Sequence, residues 1–326
     1  MFGLTLQQML TMFTLIFLGY ILRKGKILPE GSDTTMARLE TYIFTPAITL
    51  SSMLKYCNVQ TFKANAPLII YGAVIVLIAI GLAYPISRLF IRKANTDELA
   101  YRRNIYKYAA AFGNYGFMGN FLILGMFGEE MLFKYMMFCL IVGIFCTGWG
   151  LIVLIPKSSN QSAAKNLMKS LLSPPMVALV VGIVAGLLNL NQYVPAFLIN
   201  MFSSAGACQG PVAMVLAGFV IAGYNLKDIL LNKKVYLISA LRLVVIPAIF
   251  MAILYFIKRF TSLPMPEETM LLALVCFATP LGLNTIVYPA TYGGETKTGA
   301  AMATVSHTLA VATIPLMYFL FIELLK

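Results

Sequence analysis

The chain has 326 residues, of which 60% are hydrophobic and only 11% charged, and its mean hydropathy is +0.84. Soluble domains carry roughly 45–50% apolar and about 25% charged residues, and one water-exposed globule cannot hide so much apolar surface. A soluble enzyme, a disordered chain and a nucleic-acid binder are excluded, and an all-α polytopic membrane protein is what the composition demands.

A membrane helix needs about 20 mainly apolar residues. Taken in chain order, such stretches fall at 5–22, 35–54, 66–90, 104–126, 131–155, 167–189, 195–223, 235–257, 268–292 and 298–323. The opening residues, MFGLTLQQML, lack the basic n-region of a cleavable signal, so the first stretch reads as a permanent span. Spans two, four and nine are the most polar or glycine-rich of the set. The connections are short and leave no room for an extramembrane domain.

The net charge is +12, from 24 basic and 12 acidic residues. Basic residues gather between the apolar runs, which points to the lipid bilayer and not to nucleic acid as the partner. The loops after the odd-numbered spans hold Arg23, Lys24, Lys26, Arg38, Arg88, Arg92, Lys93, Arg102, Arg103, Lys107, Lys157, Lys165, Lys169, Lys227, Lys233, Lys234 and Lys297. The other side holds Lys55, Lys63, Lys134, Lys258, Arg259 and Lys326. Cytoplasmic loops collect Lys and Arg, so both termini are expected outside a plasma membrane (a bacterial inner membrane). The five cysteines, Cys57, Cys139, Cys146, Cys208 and Cys276, lack CxxC spacing. They read as small core residues, and neither a metal nor a cofactor is expected.

An offset of 166 positions carries Pro29 onto Pro195, Gly116 onto Gly282 and Gly128-Glu129 onto Gly294-Glu295. Each half then holds five spans. Five is odd, so the second half enters the bilayer from the opposite face, as in the inverted repeats of secondary transporters. A plain bundle with coincidental glycines and prolines is the alternative.

Spans four and nine occupy matching places in the two halves. Span four reads AAAFGNYGFMGNFLILGMFG, with Gly113, Asn114, Tyr115, Gly116, Gly119 and Asn120 near its middle. Span nine reads CFATPLGLNTIVYPATYGG, with Pro280, Gly282, Asn284 and Thr285. Proline removes a backbone donor and glycine weakens a helix by about 1 kcal/mol relative to alanine, so both helices are expected to break. The N–H groups freed at each break attract anions. Two breaks meeting at mid-membrane would therefore bind a carboxylate or similar anion. Close helix packing by small residues is the other explanation.

At these segments the chain resembles the auxin efflux carrier family, the bacterial relatives of plant auxin carriers. FLGYILRKGKILP, YIFTPAITLSSM, FGNYGFMGNFLILGMFGEE, LLSPPMVALVVG, LRLVVIP and TPLGLNTIVYPATYGG match its segments in order, over nearly the whole chain. The resemblance implies ten helices in two inverted five-helix repeats. Residues 1–57 and 165–223 would form a scaffold that often dimerises, and 66–156 and 233–326 a transport domain. Asn114, Gly119, Pro280 and Gly282 fall on the family's crossing motifs. Small carboxylates such as malate or malonate are the substrates linked to bacterial relatives.

Arg242 lies about 10 Å into span eight at about 1.5 Å per residue. An intramembrane charge is a functional candidate. Arg242 could hold the anion, pair with Glu40, or snorkel to the surface. Pro46, Thr49, Ser51 and Ser52 in span two, with Gln209 and Pro211 in span seven, could face the crossing or simply pack the scaffold. His307, the single histidine, could relay a proton or be a packed core residue. No acid falls clearly mid-span. A secondary transporter of a small organic anion is the leading expectation, against a polytopic membrane enzyme or an ion channel. The enzyme would need a nucleophile with its base, or metal ligands.

Overall fold

In the computed structural model, residues 2–156, 168, 171–224, 231–261 and 266–325 are described. Lys157, Lys165, Lys169, Lys227 and Lys326 of the charge tally lie outside them, as does most of the start of span six. Every regular element among the described residues is helical, apart from one isolated bridge. Among the described residues, six helical stretches are long and apolar enough to cross a membrane: Gly3–Lys24, Val59–Phe90, Tyr115–Leu154, Ala196–Ala222, Lys233–Phe260 and Lys297–Phe321. The chain is a multi-pass membrane protein. Its outer faces carry bare Phe17, Ile70, Val180, Val181 and Phe197, surfaces suited to lipid.

Helix α1 (Phe2–Lys24) ends on Arg23 and Lys24, where cations suit the carbonyl end of a helix. Helices α2 (Ser32–Leu39) and α3 (Thr45–Tyr56) form one rod through a π-helical segment, Glu40–Phe44. A similar segment, Leu241–Val245, joins α10 (Lys233–Ala240) to α11 (Ile246–Phe260). Each π segment lies just before a proline, Pro46 or Pro247. Proline offers no N–H to the carbonyl four residues earlier and crowds it; widening that turn relieves the clash without ending the helix.

Helix α4 (Val59–Phe90) opens with a reciprocal cap, in which the Asn58 side chain accepts from the Thr61 N–H and Thr61 accepts from the Asn58 N–H. Helix α5 (Asp97–Ala111) is capped by Thr96. After a break and a π-helical turn, Tyr115–Gly119, the chain continues as α6 (Asn120–Leu154). Gly128 interrupts α6 with φ 81 and ψ −175, a conformation that L side chains avoid.

In the second half, α7 (Pro174–Leu187) precedes α8 (Ala196–Ala207) and α9 (Gln209–Ala222), which meet at Cys208. Pro211, just past this joint, has no N–H to continue the ladder of α8. Helices α12 (Glu267–Ala278), α13 (Asn284–Tyr292) and α14 (Lys297–Leu325) complete the chain.

Helix α1 packs along α9, and α3 packs on α7 and α8. The α1–α9 contact is backbone on backbone. A Cβ on Gly218 would lie 1.8 Å from the Ile16 carbonyl oxygen, and one on Gly19 would lie 2.0 Å from that of Val215. Small residues give such close approach where lipid supplies no hydrophobic drive between helices. Helix α4 packs on α5 and α6, α10 on α14, and α11 on α12. The buried core follows these last helices, with Ile105, Ala109, Met137, Leu272, Val275 and Met302 essentially without exposed surface.

Candidate functional site

The α5 ladder stops at Ala111, and Phe112 turns extended at φ −123 and ψ 131. The α12 ladder stops at Ala278, and Thr279 is extended at φ −69 and ψ 148. The two interruptions meet: Gly113 and Leu281 form an antiparallel bridge. The Asn114 N–H donates to the Pro280 carbonyl at 2.7 Å, and the Leu281 N–H donates to Ser306 Oγ at 3.1 Å. Broken backbone at membrane depth must find protein or water partners, and here each break supplies partners for the other.

Gly113 has no room for a side chain. A Cβ there would lie 2.5 Å from Arg242 Nη2 and 2.8 Å from the Thr279 carbonyl oxygen. At Gly282 the Gly113 carbonyl oxygen would stand 3.0 Å away.

Beyond the crossing both helices restart. The first main-chain bond of the restarted span four runs from the Met118 N–H to the Asn114 carbonyl, at 3.1 Å. The N–H groups of Tyr115, Gly116 and Phe117 precede it and have no intrahelical acceptor. In span nine the first such bond runs from Thr285 to the Gly282 carbonyl, at 3.2 Å, which leaves the Leu283 and Asn284 N–H groups in the same position.

A cavity of about 410 Å³ lies against these ends. Asn114, Tyr115, Gly116, Asn120, Gly282 and Asn284, all expected at the site, line it. Ala37, Thr41 and Thr45 close it from α2–α3, and Leu216 from α9. Among the described residues, none that lines it carries a formal charge. Among the described lining residues, the attraction for an anion comes from the pair of helix N-termini with their dipoles and from neutral amide and hydroxyl groups.

Asn114 is buried and its orientation is fixed. His307, also buried, bonds through Nδ1 to the Ala303 carbonyl at 2.8 Å. The carbonyl can only accept, so Nδ1 carries a proton, and in the neutral ring Nε2 is then the acceptor. Asn114 Nδ2 stands 3.4 Å from it and donates. Asn284 Nδ2 donates to the Tyr108 hydroxyl at 3.0 Å, and Tyr108 stacks on Trp149. Gln209 Nε2 donates to the Gly116 carbonyl at 3.4 Å, tying α9 to the break.

Other expected site residues act around the cavity and do not line it. Gly119 makes room for the Tyr135 hydroxyl, which donates to the Tyr115 carbonyl at 2.9 Å. Pro280 offers its carbonyl to Asn114. Thr285 is buried and donates to the Gly282 carbonyl at 2.9 Å. Pro46 shapes the π segment, and its neighbour Thr45 is the residue that reaches the cavity. Thr49 spends its hydroxyl on the Thr45 carbonyl.

Arg242 is fully buried on the far side of the crossing. Its Nη1 donates to the Ala110 carbonyl at 3.5 Å, and its guanidinium lies over the Phe277 ring at 5.5 Å. The carbonyl ends of α5 and α12 converge on it, and a cation there offsets their partial negative charges by about 0.3–2 kcal/mol. Among the described residues, no ion pair links it to Glu40. Glu40 itself has no exposed surface, so an acid is buried in span two where the sequence placed none clearly mid-span.

The sequence also did not single out Tyr108, Cys146, Thr41 or Thr45. Ala37, Thr41 and Thr45 recur every four residues, a helical stripe of small and hydroxylated side chains legible in hindsight. Tyr108 and Cys146 carry no such signal.

A wider vestibule of about 630 Å³, lined by Arg23, Asp33, Arg38 and Thr296, shares Ala37, Thr41, Leu216, Leu283 and Val287 with the cavity. At the opposite end, Lys55 meets Glu129 at 2.5 Å and Lys134 meets Glu268 at 2.8 Å.

Comparison with known proteins points to membrane transport. An uncharacterised transporter of Methanothermobacter thermautotrophicus is 24% identical over 250 residues, which are 76% of this chain and 78% of the relative. An uncharacterised transporter of Methanocaldococcus jannaschii is 25% identical over 226 residues, 67% of this chain and 69% of the relative. The family model described as membrane transport protein matches residues 4–318, so the chain belongs to that family of transporters, the one its auxin-efflux-carrier motifs resemble.

Proposed function

We propose that this protein is a secondary transporter for a small organic anion, a carboxylate, which binds where the two interrupted helices restart. The observation that carries this reading is the uncharged cavity set against two helix N-termini. Backbone donors and helix dipoles suit a carboxylate, and the amides of Asn114 and Asn120 add hydrogen-bonding groups. Arg242 serves the site indirectly, by holding the crossing together from behind.

Ten spans arranged as two inverted five-helix repeats, with both termini outside the plasma membrane, are the topology we infer. Loops assigned to one side of that topology contribute the basic vestibule, and loops assigned to the other contribute the Lys55–Glu129 and Lys134–Glu268 pairs. On this reading the conformation is open to the cytoplasm, where Arg23 and Arg38 draw anions toward the cavity. Alternating access follows if the helices around the crossing slide against a scaffold built on the α1–α9 contact. Dimerisation through that scaffold is compatible with the bare apolar faces of α7 and α8.

The test is uptake of radiolabelled malonate and malate into proteoliposomes. Saturable uptake with counterflow is the expected result. A non-saturating ion current would favour a channel, and lack of uptake and binding across a carboxylate library would remove the reading.

A further inference from the structure

Glu40 opens the π segment of the second span and has no exposed surface. Neither of its carboxyl oxygens is hydrogen-bonded by a side chain, and the backbone at Ala213 is the polar group that approaches them. The segment packs on α2 and α3 of its own rod and on α7, α8 and α9. No residue of α7, α8 or α9 is titratable. On its own rod, Asp33 and Arg38 line the vestibule, Tyr42 is exposed, and Lys55 and Tyr56 stand at the far end with Glu129. A carboxylate ion in such surroundings costs several kcal/mol, and among the described residues no cation offsets it. The neutral acid avoids that cost and gains an O–H donor.

An acceptor is available on the helix that Glu40 faces. Glu40 rests against the backbone at Ala213. Gln209 stands four residues earlier, on the same face of α9. Its Oε1 is buried without a partner, and its Nε2 already donates to Gly116 at the broken helix. Thr41, next to Glu40 in the chain, lines the anion cavity.

We propose that Glu40 is a proton-binding site that couples proton movement to anion movement through Gln209 and the Gly116 end of the cavity. This rests on the carrier reading above. In the present conformation the carboxylate has taken up one proton to form the acid. When movement of the transport helices lets water reach Glu40, the O–H bond breaks, the same proton leaves and the carboxylate re-forms. One proton is bound and one released per cycle, and a proton moving with a monoanion transfers no net charge.

Two measurements on the purified full-length protein in liposomes test this. The first needs no substrate. The infrared difference between wild type and Glu40→Gln at neutral pH is expected to contain a protonated-carboxyl band, which Glu40→Asp restores. Lack of that band overturns the proposal. If Glu40→Gln cannot be reconstituted, a shift of the band in Glu40→Asp serves instead, and an unshifted band overturns the assignment to Glu40. The second uses radiolabelled malonate under an imposed pH gradient. With the membrane potential clamped at zero, because one proton carried with dianionic malonate leaves a net negative charge, wild type is expected to accumulate it about tenfold per pH unit, and Glu40→Gln to lose the response to the gradient. A wild type that ignores the gradient, or a variant that follows it fully, overturns the coupling. A wild type that moves no malonate counts against the carboxylate reading, and the infrared band then decides Glu40 by itself.

Discussion

Asn114 shows how one side chain acquires a direction. Its amide is held by an imidazole whose own proton is committed to the Ala303 carbonyl, so it cannot turn over without breaking a buried hydrogen bond. On the carboxylate reading, replacing Asn114 by alanine would remove a donor to a charged ligand, an interaction of about 1.5–3 kcal/mol. Carboxylate binding should weaken roughly tenfold to a hundredfold, read from thermal-shift titration, and an unaltered affinity would take Asn114 out of the site. His307→Ala leaves the amide in place but free to rotate, and a smaller loss of about 0.5–1.5 kcal/mol is expected in the same titration. That Asn114 sits at a helix interruption was legible in the sequence, because it stands among glycines in an apolar run. The part played by His307 was not, because it depends on a contact between residues 193 positions apart.

Among the elements, the interrupted helices and the kinked α6 make the sharpest predictions. Gly113→Ala would push a methyl group into the Thr279 carbonyl and the Arg242 guanidinium. A strained crossing costs about 1–3 kcal/mol, so a lower melting temperature with weakened uptake is expected in detergent-solubilised protein. Gly128→Ala has open space around the new methyl group, and its cost is purely backbone strain at φ 81, again about 1–3 kcal/mol. It should lower the melting temperature while leaving the cavity intact, so carboxylate affinity at saturating stability is the discriminating measurement. Both interruptions could be read from glycine and proline positions. The π segments could not, since a proline inside a helix is as compatible with a kink as with a widened turn.

For the whole molecule, the charge asymmetry between the two ends is the testable feature. Arg23 and Arg38 line a wide vestibule, while Lys55–Glu129 and Lys134–Glu268 pair at the opposite end. Exposed pairs of this kind are screened by solvent and contribute little to stability. Arg38→Cys should react with a membrane-impermeant thiol reagent in inside-out vesicles and resist it in right-side-out ones. Labelling in the reverse pattern would invert the inferred topology. Because the vestibule is continuous with the cavity, excess carboxylate is expected to slow that labelling.

Composition and period alone determined that the chain lives in lipid and where its helices interrupt, since desolvation of side chains and loss of backbone donors are local costs. Which side of each interruption faces the cavity was decided by tertiary structure. The two breaks bond to each other, so their N-termini open onto the cavity and their C-termini close around Arg242. The fate of Glu40 also belongs to tertiary structure. Its solvation depends on three helices from the other half of the chain, none of which offers it a charge.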